Sequence, residues 1–121
     1  MTYKAKDSPL LKKSFSFAIE VVNLSKHLSQ NKKEFILSKQ LVRSGTGIGA
    51  NIEEANGAIS DKDFKNKITI AYKEARETIY WLRLLHATNY NDRLQFDQLF
   101  KCCEEICKMF RSSINTLINK C

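Results

Sequence analysis

The feature that most constrains this chain is the spacing of its apolar residues. Four long stretches repeat them at steps of three, four and seven, the pattern of one helix face. The clearest runs Phe64, Ile68, Ala71, Ala75, Thr78, Leu82, Leu85, with steps alternating between four and three. Another runs Leu37, Leu41, Ser44, Ile48, Ile52, Ala55. A third runs Phe96, Leu99, Cys103, Ile106, Phe110, Leu117, flanked by Phe100, Cys107 and Ile114. A single proline, four glycines and few β-branched runs also argue for helices rather than sheets, so the chain reads as all-α.

Capping residues divide the pattern. Ser8-Pro9 supplies an N-cap and a proline at the first helical position. Asn31 with Glu34 fits a reciprocal capping box. Gly57 follows the last periodic residue of its stretch, a common helix stop. Ser60, with Asp61 and Asp63 in the next turn, restarts the chain, and Asp92 with Gln95, or Asn91 alone, can cap the last helix. The expected helices cover about 9–28, 32–56, 61–88 and 92–119, joined by short connections. That arrangement implies an antiparallel up-down-up-down four-helix bundle, one domain over 1–121.

The first predicted helix carries two apolar stripes. Leu10, Phe17, Val21, Leu24 and Leu28 form one; Leu11, Phe15, Ala18, Ile19 and Val22 form another on nearly the opposite side. A bundle helix needs one buried stripe, so the second is expected to be covered by another subunit. The third helix repeats the theme, gathering Ile70, Trp81 and Leu84 beside Glu74 and Glu77 on a second side.

Gly45, Gly47 and Gly49 resemble a phosphate loop, but the context rejects that reading. A phosphate loop follows a strand and ends in lysine, whereas helical periodicity runs straight through these glycines and no lysine sits among them. Each helix-interior glycine costs about 0.8–1 kcal/mol relative to alanine. Close packing is the expected compensation, against a neighbouring backbone or a large side chain such as Trp81 or a phenylalanine. Arg43, Gly47, Asn51 and Glu54 form a polar ribbon beside the apolar face. Bridges to Glu74, Glu77 or Arg76 would make it a structural polar network at a helix or subunit seam, the reading preferred over a ligand site.

Catalytic patterns are missing. A carboxylate-bridged dimetal bundle needs Glu-x-x-His, and no glutamate here has histidine three residues later. His27 and His86 fall near helix ends. Cys103, Cys107 and Cys121 share an apolar face with no histidine to activate them, so buried free thiols are expected, with Cys102 more accessible. The chain is therefore read as non-enzymatic, without metal or cofactor. No apolar run reaches the ~18–20 residues of a membrane span, and the first residues lack a signal-peptide core. A cytoplasmic location and no membrane partner are expected.

The net charge is +7. Residues 1–39 hold eight lysines against three acids, a local excess of +5. Such an excess favours a polyanionic partner. The candidate contacts are Lys12, Lys13, Lys32, Lys33 and Lys39, with Arg43.

One stretch carries a resemblance. Arg43-Ser44-x-Thr46-x-Ile48-Gly49-Ala50-Asn51-Ile52-x-Glu54 is similar to the signature of a small four-helix-bundle family encoded by intervening sequences within bacterial 23S rRNA genes. Ser60-x-x-Asp63-Phe64 and Ile70-Ala71-x-x-Glu74-Ala75-x-Glu77-Thr78-x-Tyr80-Trp81-Leu82 resemble its third helix. Gly47 stands where that family often has serine, and Ala55 where it usually has glycine. The resemblance implies a homo-oligomer, a pentamer first, which would cover the second stripes. A related accessory protein of diversity-generating retroelements is a basic pentameric barrel that binds nucleic acid and reverse transcriptase. By that analogy the partner is RNA or DNA. The alternative is an oligomeric scaffold for another protein, its positive charge serving solubility.

Overall fold

The structure, a computed structural model, describes the backbone of residues 8–120 and the side chains of residues 8–116. Leu117 of the expected seam and Cys121 lie outside the described side chains. Four helices follow one another: α1 Pro9–Gln30, α2 Ile36–Asn56, α3 Asp61–Ala87 and α4 Arg93–Lys120. Each packs on its chain neighbours, and α1 closes the ring against α4. The result is an all-α antiparallel four-helix bundle.

The start signals act as their chemistry requires. Ser8 Oγ accepts from the Leu11 N–H at 3.1 Å, and Ser60 Oγ from the Asp63 N–H at 3.0 Å. Asp92 Oδ1 accepts from the Gln95 N–H at 2.7 Å. These bonds satisfy amides that a helix start leaves without partners.

The second helix departs from expectation. It begins at Ile36 rather than 32, and the Asn31–Glu34 box does not form. Asn31 instead ends α1, its N–H bonded to the His27 carbonyl. Lys33 takes a left-handed φ of 55°, which reverses the chain before a helix can start. Glu34 is buried and still caps: its Oε1 accepts from the Ser38 N–H at 2.8 Å, four residues on rather than three back. The Ser38 hydroxyl returns a 2.7 Å bond to the Glu34 carbonyl.

Phe17, Phe64 and Phe110 are the largest fully buried side chains, surrounded by Leu28, Leu41, Ile48, Ile52, Ile68, Leu82, Leu85 and Ile106. The whole predicted α3 seam is buried. On α2 the buried face includes Ser38 and Gly45, whereas Leu37 is only half-buried. On α1 the stripe from Leu10 to Leu28 turns inward. Phe15 and Ile19 of the other stripe remain 67% and 51% exposed.

Candidate functional site

The three alternating glycines lie inside α2 but play three different parts. At Gly45 an added Cβ would sit 2.7 Å from Val21 Cγ1 and 3.0 Å from Cγ2. Carbon atoms pack at about 3.5–4.0 Å, so Gly45 is what lets α2 approach α1. At Gly47 the Cβ would meet Glu74 Oε2 at 2.6 Å. Its missing side chain makes room for a carboxylate. At Gly49 the nearest atom is Ser14 Cβ at 3.8 Å, ordinary contact. Neither Trp81 nor a phenylalanine fills these gaps.

That carboxylate belongs to a cluster across the α2–α3 seam. The Arg43 guanidinium bonds Glu77 Oε2 and reaches Glu74 Oε2 at 3.5 Å. Gln40 Oε1 accepts from both Arg43 Nε and Nη2 at 3.1 Å. Trp81 Nε1 donates to Glu77 Oε2 at 2.8 Å. One residue on in each helix, on the side facing the core, the Thr78 hydroxyl donates to the Ser44 hydroxyl at 2.8 Å. Burial pushes the Glu74 carboxyl above its ordinary range; Arg43 opposes this and Glu77 adds to it.

The rest of the ribbon is not drawn in. Asn51 Nδ2 donates to the Gly47 carbonyl at 2.8 Å, a bond within its own helix. Glu54 pairs with Lys67 of α3 at 2.9 Å. Arg76 points to the α4 side of α3, where it lines a small notch with Cys107 and Arg111. Arg43, Glu74 and Glu77 therefore form one unit, with Asn51 and Glu54 serving other bonds. The Arg43 side chain is 49% exposed, so the ion pairs themselves add little stability, and the cluster with its added hydrogen bonds is suited to fixing register.

The thiols behave as core groups. Cys103 is fully buried and donates to the Ala75 carbonyl at 3.4 Å. Its hydrogen-bonded neighbour Cys107, then burial, push its thiol far above the ordinary range. Burial also raises half-buried Cys102. His86 is stacked on Phe96, centroids 4.3 Å apart. Among the described residues no group of three or more His, Cys, Asp or Glu is placed to hold a metal ion.

The six sequence-predicted cationic residues do not converge. Lys12 and Lys13 lie near the start of α1, Lys32 and Lys33 beyond its end in the α1–α2 connection. A helix rises about 1.5 Å per residue, so roughly 30 Å separates Lys12 from that connection. Lys13 is paired with Glu105 of α4 at 2.7 Å, Arg43 is held by Glu74 and Glu77, and Lys39 is exposed on α2.

A denser cationic surface lies elsewhere. Lys73, Arg76 and Arg83 are exposed on α3, and Lys101, Lys108 and Arg111 on α4. The helices run antiparallel in a fixed register. Arg111 Nη1 donates to Tyr72 Oη at 3.5 Å, and Arg76, Lys108 and Arg111 line one notch of about 90 Å³. The signal was present in the sequence as cations at steps of three and seven, then seven and three. Total charge per segment concealed it.

A four-helix bundle with an arginine–carboxylate lock between its second and third helices defines the class. The chain belongs to the 23S rRNA-intervening sequence protein family, whose model matches residues 6–112. It is similar to a crystal structure from Bacteroides thetaiotaomicron described as a protein of unknown function from the S23 ribosomal protein family. The two are 50% identical over 91% of this chain and 98% of that one, with a TM-score of 0.88. No curated protein matches the chain. Among the described residues no helix is long and apolar enough to cross a membrane.

Proposed function

We propose that this protein is a non-enzymatic homo-oligomeric bundle that binds RNA or DNA without sequence preference, through its basic surface. The observation that carries this reading is the uncompensated charge. The chain is +7, and among the described residues the ion pairs engage Lys13, Arg43, Lys67 and Arg93. Exposed cations such as Lys73, Arg76, Arg83 and Lys108 stand outside them. Free ammonium and guanidinium groups on a rigid helical surface suit phosphate contacts, which are sequence-blind and release counterions.

Self-association draws support from α1. Phe15 and Ile19 are exposed beside half-buried Leu11, Ala18 and Val22, and an apolar strip of this kind suits burial against another subunit. A pentamer is the form that the family resemblance favours. Light scattering at micromolar concentration is expected to give several times the 14.0 kDa subunit mass; a clean monomer would remove this part of the reading.

Filter binding to a 20-nucleotide RNA and the matching DNA duplex, from low to moderate salt, tests the function. Binding is expected to fall steeply with salt. No binding at low salt, or binding indifferent to salt, would sink the proposal.

A second reading, an oligomeric scaffold for another protein, has one observation in its favour. Phe35, Ile36 and Leu94 are all exposed, at the end of the bundle that carries the α1–α2 and α3–α4 connections. Reversing the charge of surface lysines discriminates, because a scaffold docking through this apolar end would tolerate it.

A further inference from the structure

Resting on the nucleic-acid reading, we infer that the polyanion lies along the outer α3–α4 groove, with one phosphate seated among Arg76, Lys108 and Arg111. The lysine-rich first third of the chain is not where it binds.

The groove carries two rows of cations that match in an antiparallel pair. Lys73, Arg76 and Arg83 span ten residues of α3, and Lys101, Lys108 and Arg111 span ten of α4. At about 1.5 Å per residue each row covers about 15 Å. Their register is set by contacts below them: Arg111 meets Tyr72, and Cys103 bonds Ala75. Arg76, Cys107 and Arg111 line the same notch. All six cations are exposed.

Several acids of these helices are engaged elsewhere, although Asp97, Glu104 and Glu105 share a second notch with Lys101 and Lys108. Glu74 and Glu77 face α2 and hold Arg43, and Glu105 faces α1 and holds Lys13. Asp97 lies 3.9 Å from Arg93. Glu104 is the one carboxylate among the residues lining the first notch, against three cations. Cations that line one notch bear together on a phosphate seated there. Lys12 and Lys32, roughly 30 Å apart along α1, do not. The guanidinium forks of Arg76 and Arg111 also suit bidentate phosphate recognition.

The test compares two full-length variants with the same change in net charge. One is Arg76→Glu/Lys108→Glu/Arg111→Glu, the other Lys12→Glu/Lys32→Glu/Lys33→Glu. Each is measured against wild type by filter binding to the same RNA over a salt series, with circular dichroism confirming the helices. The groove variant is expected to bind at least tenfold more weakly, and its log–log salt slope to shrink by about 2–3, as losing three phosphate contacts implies. The lysine variant is expected to lose no more than about threefold with its slope little changed, as fits cations that touch no phosphate. Wild-type binding that survives the groove reversal, or equal losses in both variants, overturns the inference and leaves the nucleic-acid reading standing. No binding by wild type overturns that reading, and this inference with it. Should the groove reversal unfold the bundle, Arg76→Gln/Lys108→Gln/Arg111→Gln is read by the same criteria.

Discussion

The outward face of α1 and the outward groove of α3–α4 are built from the same kind of helix but present opposite chemistry to the surroundings. The first exposes Phe15 and Ile19, the second six cations, with Glu104 the one carboxylate in the notch of Arg76, Lys108 and Arg111. An apolar strip is stabilised by being covered. A cationic groove is most stable when solvated or matched with an anion. The two faces therefore suit different partners, and changes on one need not disturb the other.

The sharpest way to separate a face from the core beneath it uses two phenylalanines on α1. Phe17→Ala removes a fully buried ring and is expected to cost about 3–5 kcal/mol in chemical denaturation. Phe15→Ala, two residues earlier, is expected to leave subunit stability within about 0.5 kcal/mol. Phe15→Glu with Ile19→Glu is expected to reduce the mass in solution to that of one subunit while the helices persist. An unchanged mass would break the contrast between the two faces.

Next in size are the glycines. Gly45→Ala forces a methyl against Val21, whose branched side chain has little rotamer freedom. Overpacking of about 1–3 kcal/mol exceeds the gain of about 1 in helix propensity, so a net loss is expected in urea unfolding. Gly49→Ala meets only ordinary contact and should stabilise the isolated subunit by up to about 1 kcal/mol. Equal effects at both positions would show that close α1–α2 approach is not what Gly45 provides.

The smallest expected effect concerns Glu74. Its carboxyl is raised above its ordinary 4.5, chiefly by burial. The folded state thus holds a proton that the unfolded chain has released. Stability from this group is full below about 4.5 and declines as pH climbs through the raised value. Glu74→Gln should flatten that part of the stability–pH profile. Glu105 works the other way: Lys13 lowers its carboxyl, so its contribution fades as pH falls.

The bundle was legible from sequence because each level agreed. Periodicity, the caps at Ser8, Ser60 and Asp92, and the breaks between helices pointed to one architecture. The start of α2 was not legible. Asn31 and Glu34 have the right spacing for a capping box, yet the left-handed turn at Lys33 lets Glu34 cap from a different position. The polar lock was half legible. Arg43, Glu74 and Glu77 belong together, but the partners of Asn51 and Glu54 depend on side-chain reach that spacing does not encode. The cationic groove was missed because charge was summed along the chain. Its residues come together only when α4 returns antiparallel beside α3.

The most direct test of two faces with two partners is hydroxyl-radical footprinting of the full-length protein, alone and with a 20-nucleotide RNA. Phe15 and Ile19 are predicted to be protected already in the free protein at micromolar concentration. Lys108 and Arg111 are predicted to become protected only when the RNA is added. Free labelling of Phe15 in the absence of RNA, or RNA protection confined to residues 12–39, would contradict the account.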